Sequence, residues 1–259
     1  MAIHHVRRGS GKPLILVHGL GSSRKSWGLI GLALAEQREV ISVDLPGHGD
    51  SPAEADSTTF AGIVRSFDEW LTAEKLAGAD MVGSSMGGRV VLEMARRGRA
   101  GAVVALDPGG FWEGWERQYV YGSLIASAAL LRSLGPALPL VAHNAAARTA
   151  ILAQLSHRPW ALPGDLVENE LAGIAATTTF DPLLRDLAFG ELQEGPAAPG
   201  SGRVTIGWGR HDRLLLPVQA TRACAAFPGA RLHWFDHSGH FPMLDEPDAT
   251  VALIRSATV

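Results

Sequence analysis

The chain has 259 residues, 46% of them hydrophobic and 19% charged, with a formal net charge of -3. That length and apolar content suit one large soluble α/β domain with a full core. The slight negative charge offers no electrostatic footprint for nucleic acid or an anionic membrane, and the single cysteine, Cys224, excludes an internal disulfide.

In chain order, strand-like runs alternate with helix-like stretches, the pattern of a parallel sheet with crossover helices. Strands are predicted at Ile3–Val6, Leu14–Val17, Val40–Val43, Asp80–Val82, Val103–Leu106, Val204–Ile206 and Leu232–Phe235. Helices are predicted at Trp27–Glu36, Thr59–Leu76, Met86–Arg97, Pro217–Phe227 and Pro247–Ser256. Pro217 and Pro247 suit a first helical turn, where a missing N–H costs nothing. The N-terminal residues have no apolar signal-peptide core. The run Leu124–Leu131 is far short of the ~20 residues that a spanning helix needs. A cytoplasmic protein with no membrane partner is the expectation.

From about Gly110 to Gly195 no strand pattern is visible. Val120, Leu124, Ala128 and Leu131 have helical spacing, and a Pro/Gly-rich stretch, residues 195–202, leads back into the sheet. The expected division is a core, residues 1–109 and 196–259, and a helical insertion, residues 110–195.

Gly83-Ser84-Ser85-Met86-Gly87 fits G-x-S-x-G between a strand and a helix, the context of a nucleophile elbow. Alone, five positions with two wild cards also fit an ordinary Gly-rich turn. Three further runs change that. Leu14–Gly21 is a strand breaking into a His-Gly turn, Val204–Asp212 is a strand followed by a loop aspartate, and Leu232–Pro242 is a strand followed by a loop histidine. The order Ser85, Asp212, His240 is that of the α/β-hydrolase triad and differs from other serine hydrolase folds.

On these motifs, and on Asp44-Leu45-Pro46-Gly47-His48-Gly49-Asp50-Ser51, the chain resembles the α/β-hydrolase superfamily along its length. The resemblance implies an α/β-hydrolase fold, a mostly parallel central sheet flanked by helices with a helical cap over the site. It implies Ser85 as nucleophile, His240 as base and Asp212 as the acid that orients the imidazole. The Gly239-His240-Phe241-Pro242 ending places the base at His240 rather than His237. Asp107, after the strand Val103–Leu106, is a rival acid, because some family members carry theirs there. The backbone N–H groups of Leu20 and Met86 would form the oxyanion hole. Trp112, Trp115 and Tyr119 would line the substrate pocket or pack the cap onto the core.

No cluster has metal-ligand spacing, and Gly19-Leu20-Gly21-Ser22-Ser23 does not extend to a dinucleotide or phosphate loop, so neither metal nor cofactor is expected. The expected partner is a small apolar ester or lactone. Haloalkane dehalogenases and epoxide hydrolases of this superfamily carry aspartate at the elbow, where this chain has Ser85. Carbon–carbon bond hydrolases share the serine triad but usually show Gly-Pro-Gly after the His-Gly turn and tryptophan after the histidine. Here Gly21-Ser22-Ser23 and Phe241 stand instead. Gly83–Arg89 also resembles the elbow of a menaquinone-pathway lyase. A non-catalytic receptor on the same fold is the reading from a different class.

Overall fold

The computed structural model describes residues 3–258. Seven strands form one sheet: β1 (His5–Arg8), β2 (Pro13–Val17), β3 (Glu39–Val43), β4 (Asp80–Ser84), β5 (Val103–Leu106), β6 (Val204–Gly209) and β7 (Arg231–Phe235). Their order across the sheet is β1-β3-β2-β4-β5-β6-β7, with β1 antiparallel to β3 and every other pair parallel.

The central strands β2 and β5 are short apolar runs because both faces are covered. In β2, Ile15 and Val17 face one layer while Leu14 and Leu16 face the other, as the period of two requires. The first layer holds α2 (Phe60–Ala73), through Phe67 and Trp70, and α3 (Met86–Arg96), through Val90 and Met94. The second holds α1 (Gly28–Ala35), through Ile30 and Leu34.

Between β5 and β6 the chain leaves the sheet for five helices: α4 (Glu116–Leu134), α5 (Leu138–His143), α6 (Ala145–Leu152), α7 (Gly164–Ala176) and α8 (Phe180–Phe189). They have a core of their own, with Leu131, Leu138, Leu152, Val167 and Leu171 packed together. After β6 come α9 (Val218–Ala226), α10 (Pro242–Asp245) and α11 (Pro247–Ala257), the last packing Leu253 and Ile254 against the second layer. Cys224 is half-buried on α9, against the core.

Two expectations need correction. Strand β1 starts at His5, because antiparallel pairing sets Arg8 opposite Val40, while Ile3 is buried in the core just before the strand. The apolar helical run is also longer than Leu124–Leu131. Among the described residues, Glu116–His143 is long and apolar enough, with mean hydropathy 1.6, to cross a membrane by length and composition. Here it buries Val120, Ala128, Leu131, Leu138 and Ala142, and Arg132 pairs with Asp181 of α8 at 2.8 Å.

Candidate active site

Strand β4 ends at Ser84, and helix α3 begins at Met86. Ser85 alone makes the turn, with φ 55° and ψ -116°, a conformation that L residues rarely adopt. Close packing makes glycine necessary around it. A Cβ on Gly83 would lie 2.1 Å from the Gly87 carbonyl oxygen, and one on Gly87 would lie 2.2 Å from that of Val17. The β2 loop also presses on the turn, since a Cβ on Gly19 would sit 3.2 Å from the Ser85 Cβ.

His18 fastens that loop. Its Nε2 accepts the Leu45 N–H at 2.9 Å, so Nδ1 carries the proton and donates to the Gly19 carbonyl at 2.7 Å. Burial lowers its pKa, which keeps the ring neutral. Asp44 fixes the neighbouring turn by accepting the N–H groups of Arg24, at 2.7 Å, and Asp50, at 3.0 Å. The backbone N–H groups of Leu20 and Met86 have no acceptor among the described residues, so both remain free to meet a ligand.

His240 is buried in the loop after β7, and its Nδ1 lies 2.7 Å from Oδ2 of Asp212. Asp212 follows β6, and its other oxygen accepts the N–H groups of Leu214, at 2.8 Å, and Leu215, at 2.9 Å. The backbone of His240 donates to the Leu155 carbonyl at 2.7 Å, so the helical insertion holds the histidine loop. His240 and Ser85 line one cavity but share no direct hydrogen bond. Such contacts are often long in unliganded sites and tighten around a ligand.

Asp107 is buried at the end of β5 with φ 43°. Its carboxyl, that of Asp212 and a ring nitrogen of His240 lie within 4.8 Å of one another. Asp107 accepts only one hydrogen bond, from the Gly209 N–H at 2.9 Å, and its Oδ2 has no partner. Burial, reinforced by the Asp212 charge, holds its pKa well above the usual carboxylate range. The three groups are spaced closely enough for a cation, but Asp212 is already engaged by His240 and by two backbone N–H groups. A cluster whose acceptors are taken up in this way fits a metal poorly.

Two narrow cavities of about 50 and 40 Å³ share Leu20, Ser85, Leu124 and Leu214 as walls. Larger clefts, about 370 and 390 Å³, open beside Glu93 and beside Arg24, away from Ser85. Of the three aromatic residues expected at the pocket, only Trp112 lines a cavity at Ser85, and it is buried. Trp115 is 64% exposed at the start of α4, and Tyr119 donates its hydroxyl to the Arg213 carbonyl at 2.6 Å. Trp112 precedes the helix and is not on its face, so the three do not share one surface.

The structure also places one charged residue that the sequence reading passed over, and one, Arg89, that it noted only as part of the elbow. Glu170 of α7 borders the cavity that holds Ser85 and His240, and it accepts the Ser22 hydroxyl at 2.7 Å. It falls between Val167 and Leu171 on the buried stripe of its helix, and a charge on an apolar stripe is the signal that would have found it. Arg89 of α3 is buried with its guanidinium 3.9 Å from the Phe60 ring centre, and burial lowers its pKa to about 10.

The family model for the alpha/beta hydrolase family matches residues 14–253, and the chain belongs to that family. Among proteins of known sequence, it is 29% identical over 262 residues to the dihydrolipoyllysine-residue acetyltransferase component of the acetoin cleaving system of Cupriavidus necator. That match takes in 98% of this chain and 65% of the relative, so the chain spans a little under two thirds of that protein's length. It is 31% identical over 206 residues to an epoxide hydrolase of Mycobacterium tuberculosis, covering 75% of this chain and 90% of the relative. Among solved structures, an esterase from Exiguobacterium antarcticum superposes with a TM-score of 0.79 at 18% identity, over 98% of this chain and 94% of the esterase.

Proposed function

We propose that this alpha/beta hydrolase is a serine esterase or lactonase that cleaves a small, largely apolar substrate through an acyl-enzyme. The observation that carries the reading is an elbow serine and an oriented imidazole lining one cavity. Ser85 opens onto a cavity that His240 also lines, and the far nitrogen of His240 is held by Asp212 at 2.7 Å. A serine hydroxyl is a weak nucleophile at neutral pH and needs such a base.

In this reading His240 takes the Ser85 proton as Oγ attacks the carbonyl carbon. The negative charge that forms on the carbonyl oxygen meets the N–H groups of Leu20 and Met86, each typically contributing ~2.7–4 kcal/mol. His240 then protonates the departing alcohol. Water, deprotonated by the same ring, releases the acid and restores Ser85. Asp212 keeps the proton on Nδ1 and stabilises the imidazolium. Residues 110–195 act as a cap, because Leu124, Leu155 and Ile174 close the cavity over Ser85. Ser85 distinguishes this site from the epoxide hydrolase chemistry of a related chain, which needs a carboxylate at the elbow.

The test is covalent labelling by a small fluorophosphonate, followed by a panel of short esters, lactones and ring-cleavage products. Labelling at Ser85 with turnover of esters or lactones supports the reading. Turnover of the ring-cleavage products alone would move it to carbon–carbon bond hydrolysis. No labelling would end it.

A further inference from the structure

The cavity around Ser85 and His240 is walled by Leu124, Leu152, Leu155, Leu171, Ile174 and Phe180. One ionisable side chain outside the catalytic set interrupts that apolar wall, and it is Glu170. The residue is 9% exposed, and one carboxyl oxygen, Oε2, accepts the Ser22 hydroxyl. Oε1 has no hydrogen-bond partner among the described residues. Burial pushes the pKa up to about 7, against the pull of the Ser22 hydrogen bond. Oε1 is not among the fully buried polar atoms, so it is open to the cavity, an acceptor in otherwise apolar surroundings. A ligand that brings a donor there would complete it.

We propose that Glu170 determines specificity at this site by accepting a hydrogen bond from a substrate hydroxyl, so that the preferred substrate is an ester or lactone carrying a neutral hydroxyl group beyond the scissile bond. The inference rests on the ester-hydrolase reading. Two observations select a hydroxyl. Ser22 already presents a hydroxyl to Oε2, so the second oxygen is placed to repeat the same contact. The rest of the wall is apolar, and moving an ammonium into such surroundings costs far more than moving a hydroxyl. A site built to hydrogen-bond a substrate group rejects the analogue that lacks it much more strongly than an apolar pocket rejects a missing methylene.

The test compares ethyl esters of saturated acids with the same acids carrying one hydroxyl, moved carbon by carbon along the chain. Wild type should prefer one hydroxy isomer over its parent by about ten-fold or more in kcat/KM. Glu170→Leu should reverse that preference, and Glu170→Gln should weaken it. The same pairs titrated calorimetrically into Ser85→Ala report discrimination without turnover, so the binding arm can be read even if no ester is cleaved. Equal affinity of Ser85→Ala for both members of every pair would overturn the proposal. So would a stronger preference for the matching amino esters, which would assign a cation instead. A lowered Tm for Glu170→Leu with an unchanged hydroxy-to-parent ratio would reduce Glu170 to a latch on Ser22, and that too would overturn it.

Discussion

Asp107 and Asp212 place their carboxyl groups against each other beside the His240 ring, within 4.8 Å. The two candidate acids are therefore neighbours, and hydrogen bonding divides their roles. Asp212 receives two backbone N–H groups and the imidazole, while Asp107 receives one N–H. The anionic charge belongs where the donors are.

Asp212→Asn should lower kcat by about 10⁴, through the wrong imidazole tautomer. Asp107→Asn should retain most of the activity, because the imidazole is held by Asp212 while Asp107 accepts only the Gly209 N–H. Steady-state rates of the two purified variants decide this. A larger loss in Asp107→Asn would transfer the orienting role to the β5 acid.

Glu170 should make stability fall with rising pH. Its folded value, about 7, lies above the ordinary value of 4.5, so the folded protein keeps a proton that the unfolded chain releases between those limits. Its contribution is fully present below about 4.5, declines through that window and is gone above about 7. The gap corresponds to roughly 3 kcal/mol at full effect. Glu170→Gln should therefore gain stability relative to wild type between pH 5 and pH 8 in denaturant titrations. A difference that does not change with pH would mean that Glu170 ionises normally.

Trp112 and Trp115 should part company on substitution to alanine. Trp112 is 3% exposed and walls the cavity at Ser85, so its loss should cost about 3–5 kcal/mol and shift kcat/KM toward bulkier acyl groups. Trp115, mostly exposed, should change stability by about 0.5 kcal/mol or less and leave ester preference intact. Parallel melting curves and an ester-length series test both. The assignment fails if Trp115→Ala is the variant that alters selectivity.

Gly87→Ala should disrupt folding, because its new methyl group would lie 2.2 and 2.4 Å from the backbone oxygens of Val17 and His18. Gly19→Ala meets nothing nearer than the Ser85 Cβ, at 3.2 Å, and should fold while reacting more slowly with a fluorophosphonate. Circular dichroism and labelling rates separate the two outcomes. A Gly87→Ala protein with native stability would mean that the elbow is looser than its backbone packing implies.

The middle of the sheet was legible from sequence because both of its faces are buried, which makes β2 and β5 continuous apolar runs. The loop positions of Ser85, Asp212 and His240 were legible because each comes just after a strand, β4, β6 and β7. β1 was misplaced by two residues, since an antiparallel edge strand takes its register from β3 and not from its own pattern. The wall of the cavity was largely hidden. Helical periodicity marks a segment as helix but does not say which face meets the sheet, so Trp115 and Tyr119 were read together with Trp112. Glu170 is remote from Ser22 in sequence, and only folding brings them together.

Two hydrogen bonds tie the insertion to loops of the candidate site without involving a side chain of Ser85, Asp212 or His240. Glu170 grips the β2 loop through Ser22, and the Leu155 carbonyl holds the backbone of His240. The fit is tight at the first point, where a Cβ on Gly173 would lie 2.6 Å from the Gly21 carbonyl oxygen. A chimera that receives residues 110–195 from a relative would therefore inherit more than a new appetite. It would loosen the supports of both the anion-receiving loop and the proton carrier, and its chemical step would slow even for esters small enough to ignore the new wall. Breeding new substrate range into this scaffold is best begun at side chains such as Trp112, with both moorings left in place.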